Sequence, residues 1–456
     1  MMLKTSLVAL LLSLGLSLGN AAMAQDRRTI TEPVIPPSCS TLPSKLQAPK
    51  DALAEADESR LDTARLQQAL DHCGKGKALE LSADGPNTAF LTGPFSIPTG
   101  VTLLIDRGVT LYASRDPRLY DLRPGSCGVV SKDSQGCTVL ITIKDAPHSA
   151  IMGEGSIDGR GGSKMLHGSE SWWDLAADAR SGGRQQVPRM IEITNSDDFT
   201  FYNITLRNSA NFHITYRGGK GFTVWGLKID TPKTARNTDG IDPSGSSDIT
   251  ITHSYIRTGD DNIAIKGSAG GVTHMTVADN HFYYGHGMSI GSETYDGVSD
   301  LLVTDLTLDG TESGIRIKSN ASKGGVVNRV TYSNICIRDS KSPIFVDIAY
   351  AGAGPRVDRL PYYTNLLLKD IQISGGGKIF VGGFDEQHRT TMTLDNVLLD
   401  DPNHYKISGQ HTAITYGPGP VNFTVSGPDV REIGKPSAGK PSTCQSRFIP
   451  FPTQPH

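Results

Sequence analysis

Three acidic side chains and an imidazole fall within a short stretch of this chain. Asp239 lies in "ARNTDGID", Asp260 and Asp261 in "TGDDNIAIK", and His286 in "GHGMSIGSE"; Asp261 follows Asp239 by 22 residues, and His286 follows Asp261 by 25. A fourth segment, "GIRIK", adds Arg316 and Lys318. Clustered carboxyl groups raise one another's pKa, so one keeps a proton while another stays a base. Glycoside hydrolysis needs that pair: an acid for the leaving oxygen and a carboxylate that activates water or attacks the sugar. Arg and Lys answer an anionic substrate, the first by a two-donor grip and the second as a point charge. A lone Asp-Asp is more often a solvated turn or a calcium ligand, and two outward cations are often merely solvated. Four such segments in phase are harder to ascribe to turns.

Residues this far apart act together only on a repeating scaffold. Eight-residue blocks with alternating apolar positions begin at Phe199, Phe222, Ile249, Met275, Leu301, Val330, Leu366 and Met392, at intervals of 23 to 36 residues. Between them runs a second family that includes Ile263-Ala264-Ile265, Met288-Ser289-Ile290 and Ile315-Arg316-Ile317. Both alternate with period two and are rich in β-branched residues, so both read as strands. A repeat near 26 residues, with Gly-rich turns and no helix, predicts an all-β, single-stranded, right-handed parallel β-helix with coils stacked about 4.8 Å apart. A propeller blade needs roughly 40 residues, and the leucine-rich pattern is missing. The segment Ala52–Cys73, with helical spacing in "LDTARLQQALDHC", is expected to cap the N-terminal sheet edge.

Alternation then assigns faces. Ile263, Ile265, Met288, Ile290, Ile315 and Ile317 point inward. Gly240, Ala264, Ser289 and Arg316 are expected to form one outward column, with Asp242, Lys266, Gly291 and Lys318 beside it. Small residues there leave a groove. His213 and Lys266 are further candidates for it, whereas Trp172 and Trp173 read as packing. Loss of outward Lys318 is expected to cost binding but little stability.

The 44 Lys+Arg against 47 Asp+Glu give a formal charge of −3, which argues against a nucleic-acid partner. With 50 Gly and 26 Pro among 456 residues, the chain turns often and excludes long helical bundles. Lys4, an apolar run from Leu7 to Leu18 and Ala22-Met23-Ala24 form a secretory leader, residues 1–24, cleaved after Ala24. The expectation is a secreted, monomeric protein with no membrane partner in its mature form. Residues 25–84 are expected to form an N-terminal segment and cap, 85–425 the catalytic β-helix, and 426–456 a Pro-rich tail. Six Cys fit an oxidising compartment. Cys127 and Cys137 flank a turn-rich loop, Cys39 and Cys73 bracket the cap, and Cys336 and Cys444 remain as a third pair. No Cys or His spacing suggests zinc, so neither metal nor cofactor is expected.

In their order and wording, Asn237-Thr238-Asp239, Gly259-Asp260-Asp261, Gly285-His286-Gly287 and Arg316-Ile317-Lys318 resemble the polygalacturonases, family-28 glycoside hydrolases. The likeness runs through most of the chain, and "SWWDLAADA", "NSANFHI" and "KTARNTDGIDP" look like the secreted bacterial endo-acting branch. The resemblance implies that Asp260 is the general acid and that Asp239 and Asp261 position the attacking water, with inversion of configuration. It implies that His286 tunes the acid, and that Asn237, Arg316, Lys318 and the aromatic Tyr350 contact polygalacturonate. The Cys336–Cys444 pair and the tail "GKPSAGKPSTC" depart from the pattern. A calcium-dependent lyase, an exo-acting or rhamnogalacturonan hydrolase of the same family, and a non-catalytic polysaccharide-binding β-helix are the competing readings.

Overall fold

The computed structural model describes residues 25–132, 135–352, 358–442 and 444–453; the expected leader, 1–24, lies outside them. The chain winds into a parallel β-helix. Eleven short strands, from Phe95–Ser96 through Ile263–Ile265, Met288–Gly291 and Ser313–Lys318 to Tyr405–Gln410, stack in sequence order into one face. A second, 20-stranded sheet wraps the rest of the coil.

The eight-residue blocks are not single straight strands. Their fifth residues, Asn203, Gly226, His253, Asp279, Asp305, Asn334, Asp370 and Asn396, all have φ between 52° and 69°. Asn, Asp, Gly and His tolerate this left-handed region best, and each turns a corner of the coil there. The sequence pattern shows alternation on both sides of the corner but does not show the bend itself.

Inside, Ile263, Ile265, Met288, Ile290, Ile315 and Ile317 are fully buried. Each contributes on the order of 1.5–3 kcal/mol by leaving water. Leu66 and Leu70 of the Thr63–Asp71 helix close the N-terminal end of this core. Stacking extends past both expected limits of the helix: Ser38–Pro43 pairs with Lys77–Ser82 before residue 85, and Val430–Ile433 pairs with Thr412–Tyr416 after residue 425. Three disulfides join Cys39 to Cys73, Cys127 to Cys137 and Cys336 to Cys444. The last anchors the tail, which runs back over the outer wall with Phe448 under Arg338 and Phe451 under Arg257.

The register of the eleven-stranded face corrects one expectation. Ile241 pairs with Ile263 and Ser244 bridges to Lys266. The outward column is therefore Asp242, Ala264, Ser289 and Arg316, not one headed by Gly240, and Ser244 precedes Lys266, Gly291 and Lys318. Gly240 lies in the turn, its amide on Asp261 O. Alternation gives a strand's faces but not the length of the turn before it.

Candidate active site

Asp239, Asp260, Asp261 and His286 all sit in turns that lead into this face, on three consecutive coils. The backbone at Gly287 explains its residue type. It has φ 82°, and a Cβ there would stand 1.9 Å from Ser313 O. A side chain would drive the His286 turn away from the next coil.

Asp261 is buried and held by three donors. Ser289 Oγ donates to Oδ1 at 2.7 Å, Arg316 Nη1 to Oδ1 at 3.0 Å, and Lys318 Nζ to Oδ2 at 2.7 Å. Burial alone would raise its pKa, but Lys318, Arg316 and Lys266 overcome this and hold it well below the usual carboxylate range. Asp261 is a fixed anion. Arg316 and Lys318 are thus not free outward charges: Lys318 is 5% exposed. The pairing argues against the expectation that Lys318 matters little to stability, because alternation assigns a face but no partner.

Asp260 is more accessible. Its Oδ1 lies 2.9 Å from His286 Nδ1, and Asn237 Nδ2 donates to Oδ2 at 3.4 Å. Gln185 in turn holds Asn237 at 2.9 Å. Burial would lower the His286 pKa, yet its hydrogen bond to Asp260 and the charges of Asp260 and Asp261 raise it. Asp239 is buried with Oδ1 unpartnered, and burial first, then the neighbouring Asp260 and Asp242, push it well above its usual value. The site therefore keeps an anion, a proton-rich carboxyl and a half-buried acid paired with imidazole side by side.

Two further acids line the cleft: Asp242, which alternation set beside the groove without a role, and Glu293, which it did not single out. Asp242 is buried at the cleft floor with neither oxygen hydrogen-bonded and Lys266 Nζ 3.9 Å from Oδ2, and burial pushes it up to about 7. Glu293 accepts from Lys323 at 2.9 Å and lies 4.0 Å from Lys266. The available signal for Glu293 is its place at the end of the "GHGMSIGSE" segment.

The remaining candidates separate cleanly. Tyr350 lines the cleft, its ring 5.4 Å from Arg316 Cζ and 5.2 Å from Lys318 Nζ. Lys266 lines it too, donating to Gly291 O at 3.2 Å. His213 is buried, its ring nitrogens 3.0 Å from Asp239 O and 2.8 Å from Thr231 Oγ1, and desolvation pushes it down to about 4. It is a neutral structural residue. Trp172 packs edge-on against Tyr120, and Trp173 donates to Ser209 O.

One donor atom each of Asp260, Asp261 and His286 lies within 4.8 Å of the others. Asp261 already carries two cations and His286 Nδ1 is engaged by Asp260, so the set suits proton transfer better than a divalent ion. The cleft above encloses about 390 Å³. A second hollow, walled by Arg184 and Gln186, shares Arg189, Phe212 and Asn237 with it and continues it along the coils.

A parallel β-helix with clustered carboxyl groups and cations in a continuous cleft defines a polysaccharide hydrolase acting on acidic chains. The family model "Glycosyl hydrolases family 28" matches residues 83–410, and the chain belongs to that family. It is 44% identical over 401 residues to an endo-polygalacturonase of Pectobacterium carotovorum subsp. carotovorum, covering 87% of this chain and 96% of that one. A polygalacturonase of Ralstonia solanacearum is 36% identical and covers 99% of this chain and 98% of its own. Among solved structures, the polygalacturonase from Erwinia carotovora ssp. carotovora superposes with a TM-score of 0.79 at 42% identity, covering 86% of this chain and 100% of that one.

Proposed function

We propose that this protein is a secreted endo-polygalacturonase that hydrolyses internal α-1,4-galacturonosidic bonds of polygalacturonate and pectin. The observation that carries the mechanism is the Asp260–His286 contact of 2.9 Å beside an Asp261 fixed by Arg316 and Lys318. Asp260 gives its proton to the leaving oxygen, and His286, whose pKa is raised, is the adjacent imidazolium that returns a proton to Asp260 between turnovers. Asp261 and Asp239 hold the water. Arg316, Lys318 and Tyr350 receive the substrate at the cleavage point, with Asn237 orienting the acid. The atoms of Asp260 and Asp261 lie closer than the ~6.5–9.5 Å usual between inverting carboxyl groups. Inversion therefore requires water held at the Asp239 side, and the first-formed anomer, read by NMR, is expected to be β.

The continuation of the cleft past Asn237 favours internal cleavage over exo action. Viscosity loss compared with reducing-end release on polygalacturonate tests this: a steep early fall in viscosity is expected, and a fall proportional to product would show exo action. Reducing ends released without unsaturated products exclude a lyase, and no release at all would leave a binding module. Export by a leader cleaved after Ala24, action as a monomer, and freedom from nucleic-acid and membrane partners complete the reading. No helix among the described residues is long and apolar enough to cross a membrane.

A further inference from the structure

The second outward column of the eleven-stranded face has a regular charge pattern. Read in register from the N-terminal end, it runs Lys144, Thr194, Arg217, Ser244, Lys266, Gly291 and Lys318. A cation stands at every second coil, with a small or short polar residue between. Coils stack about 4.8 Å apart, so the cations recur about every 10 Å. Lys318 and Lys266 are tied up with Asp261, Asp242 and Glu293. Lys144 and Arg217 are exposed, and neither has a side-chain hydrogen bond or ion pair among the described residues. Arg217 also lines the cleft.

We propose that Arg217 and Lys144 bind carboxylates of galacturonate units remote from the bond being cleaved. The inference rests on the polygalacturonate reading above. A polygalacturonate chain lying along the coils carries one carboxylate per sugar. In an extended chain with alternating faces, carboxylates on one side recur every second sugar, a length comparable with two coils. Arg217 stands two coils and Lys144 four coils from Lys266, whose strand follows Asp260 directly. An exposed, unpaired Arg offers both donors of its fork to such a group. The intervening Thr194 and Ser244 leave room for the sugar that turns its carboxylate away.

The test uses Arg217→Gln, Lys144→Gln and the double variant. Both side chains are exposed, so the unfolding midpoint serves as a control for folding. For Lys144→Gln, kcat/KM on long polygalacturonate divided by kcat/KM on trigalacturonate is expected to fall about tenfold, because the trimer is too short to reach from Asp260 to Lys144. An unchanged ratio overturns the proposal. Binding is read separately as retardation of each protein in gels containing polygalacturonate, a readout that does not need turnover. The double variant is expected to lose most of its retardation. If the unmutated protein proves not to hydrolyse polygalacturonate, that defeats the enzymatic reading alone; full retardation of the double variant defeats this one.

Discussion

Lys318 Nζ lies 2.7 Å from Asp261 Oδ2, and both side chains are almost wholly buried. Lys318, proposed above to receive substrate, is thus also the counter-ion of a site carboxylate, and on that reading binding and stability cannot be separated there.

Lys318→Ala should lower stability by about 3–5 kcal/mol, since removing one member of a buried pair leaves a charge uncompensated. Pairing Lys318→Met with Asp261→Asn should recover much of that loss without restoring turnover. Denaturant unfolding and polygalacturonate kinetics on the three proteins check both statements. A stable Lys318→Ala protein would mean that Arg316 alone balances Asp261.

His286 is held above its ordinary pKa in the folded protein. Its charged form therefore stabilises the fold below about pH 6.5, and that contribution disappears as pH rises through the raised folded value. The alkaline limb of kcat/KM should fall in the same window. In His286→Gln, turnover should be lower throughout and the limb displaced; a limb that stays in place would assign it to another group.

Asp242 titrates near 7 when folded, far above an unfolded Asp. The folded state binds the extra proton between about pH 4 and 7, so stability attributable to this group declines as pH rises through that window. Asp242→Asn should remove the decline, and its unfolding midpoint should gain on that of the unmutated protein from pH 4 to 7. Parallel midpoints across the range would show that Asp242 ionises normally.

Ile317→Ala, one residue from Lys318 but facing inward, should cost about 2–5 kcal/mol by leaving a cavity in the coil. Thermal unfolding measures it, and a loss below 1 kcal/mol would mean that the interior collapses around the gap.

The coil and its inward face were legible because Ile263, Ile265, Ile315 and Ile317 alternate with polar or small residues, and period two has one physical meaning in a solenoid. The corner residues were visible as Asn, Asp, Gly and one His in the fifth position of the blocks, but only their φ values show that they bend the chain. Register was not legible where the Asn237–Gly240 turn separates Asp239 from its strand. Nor was the pairing of Arg316 and Lys318 with Asp261, because that contact spans coils and depends on side-chain reach. The high pKa of Asp242 arises from burial between neighbours that the linear sequence does not bring together.

The central claim is that Asp260 delivers the proton to the leaving oxygen. Asp260→Asn keeps size and hydrogen-bonding capacity but has no carboxylic proton to give. Reducing-end release from polygalacturonate should fall on the order of a hundredfold or more, with the unfolding midpoint unchanged. Near-normal release by a correctly folded Asp260→Asn protein would contradict the assignment.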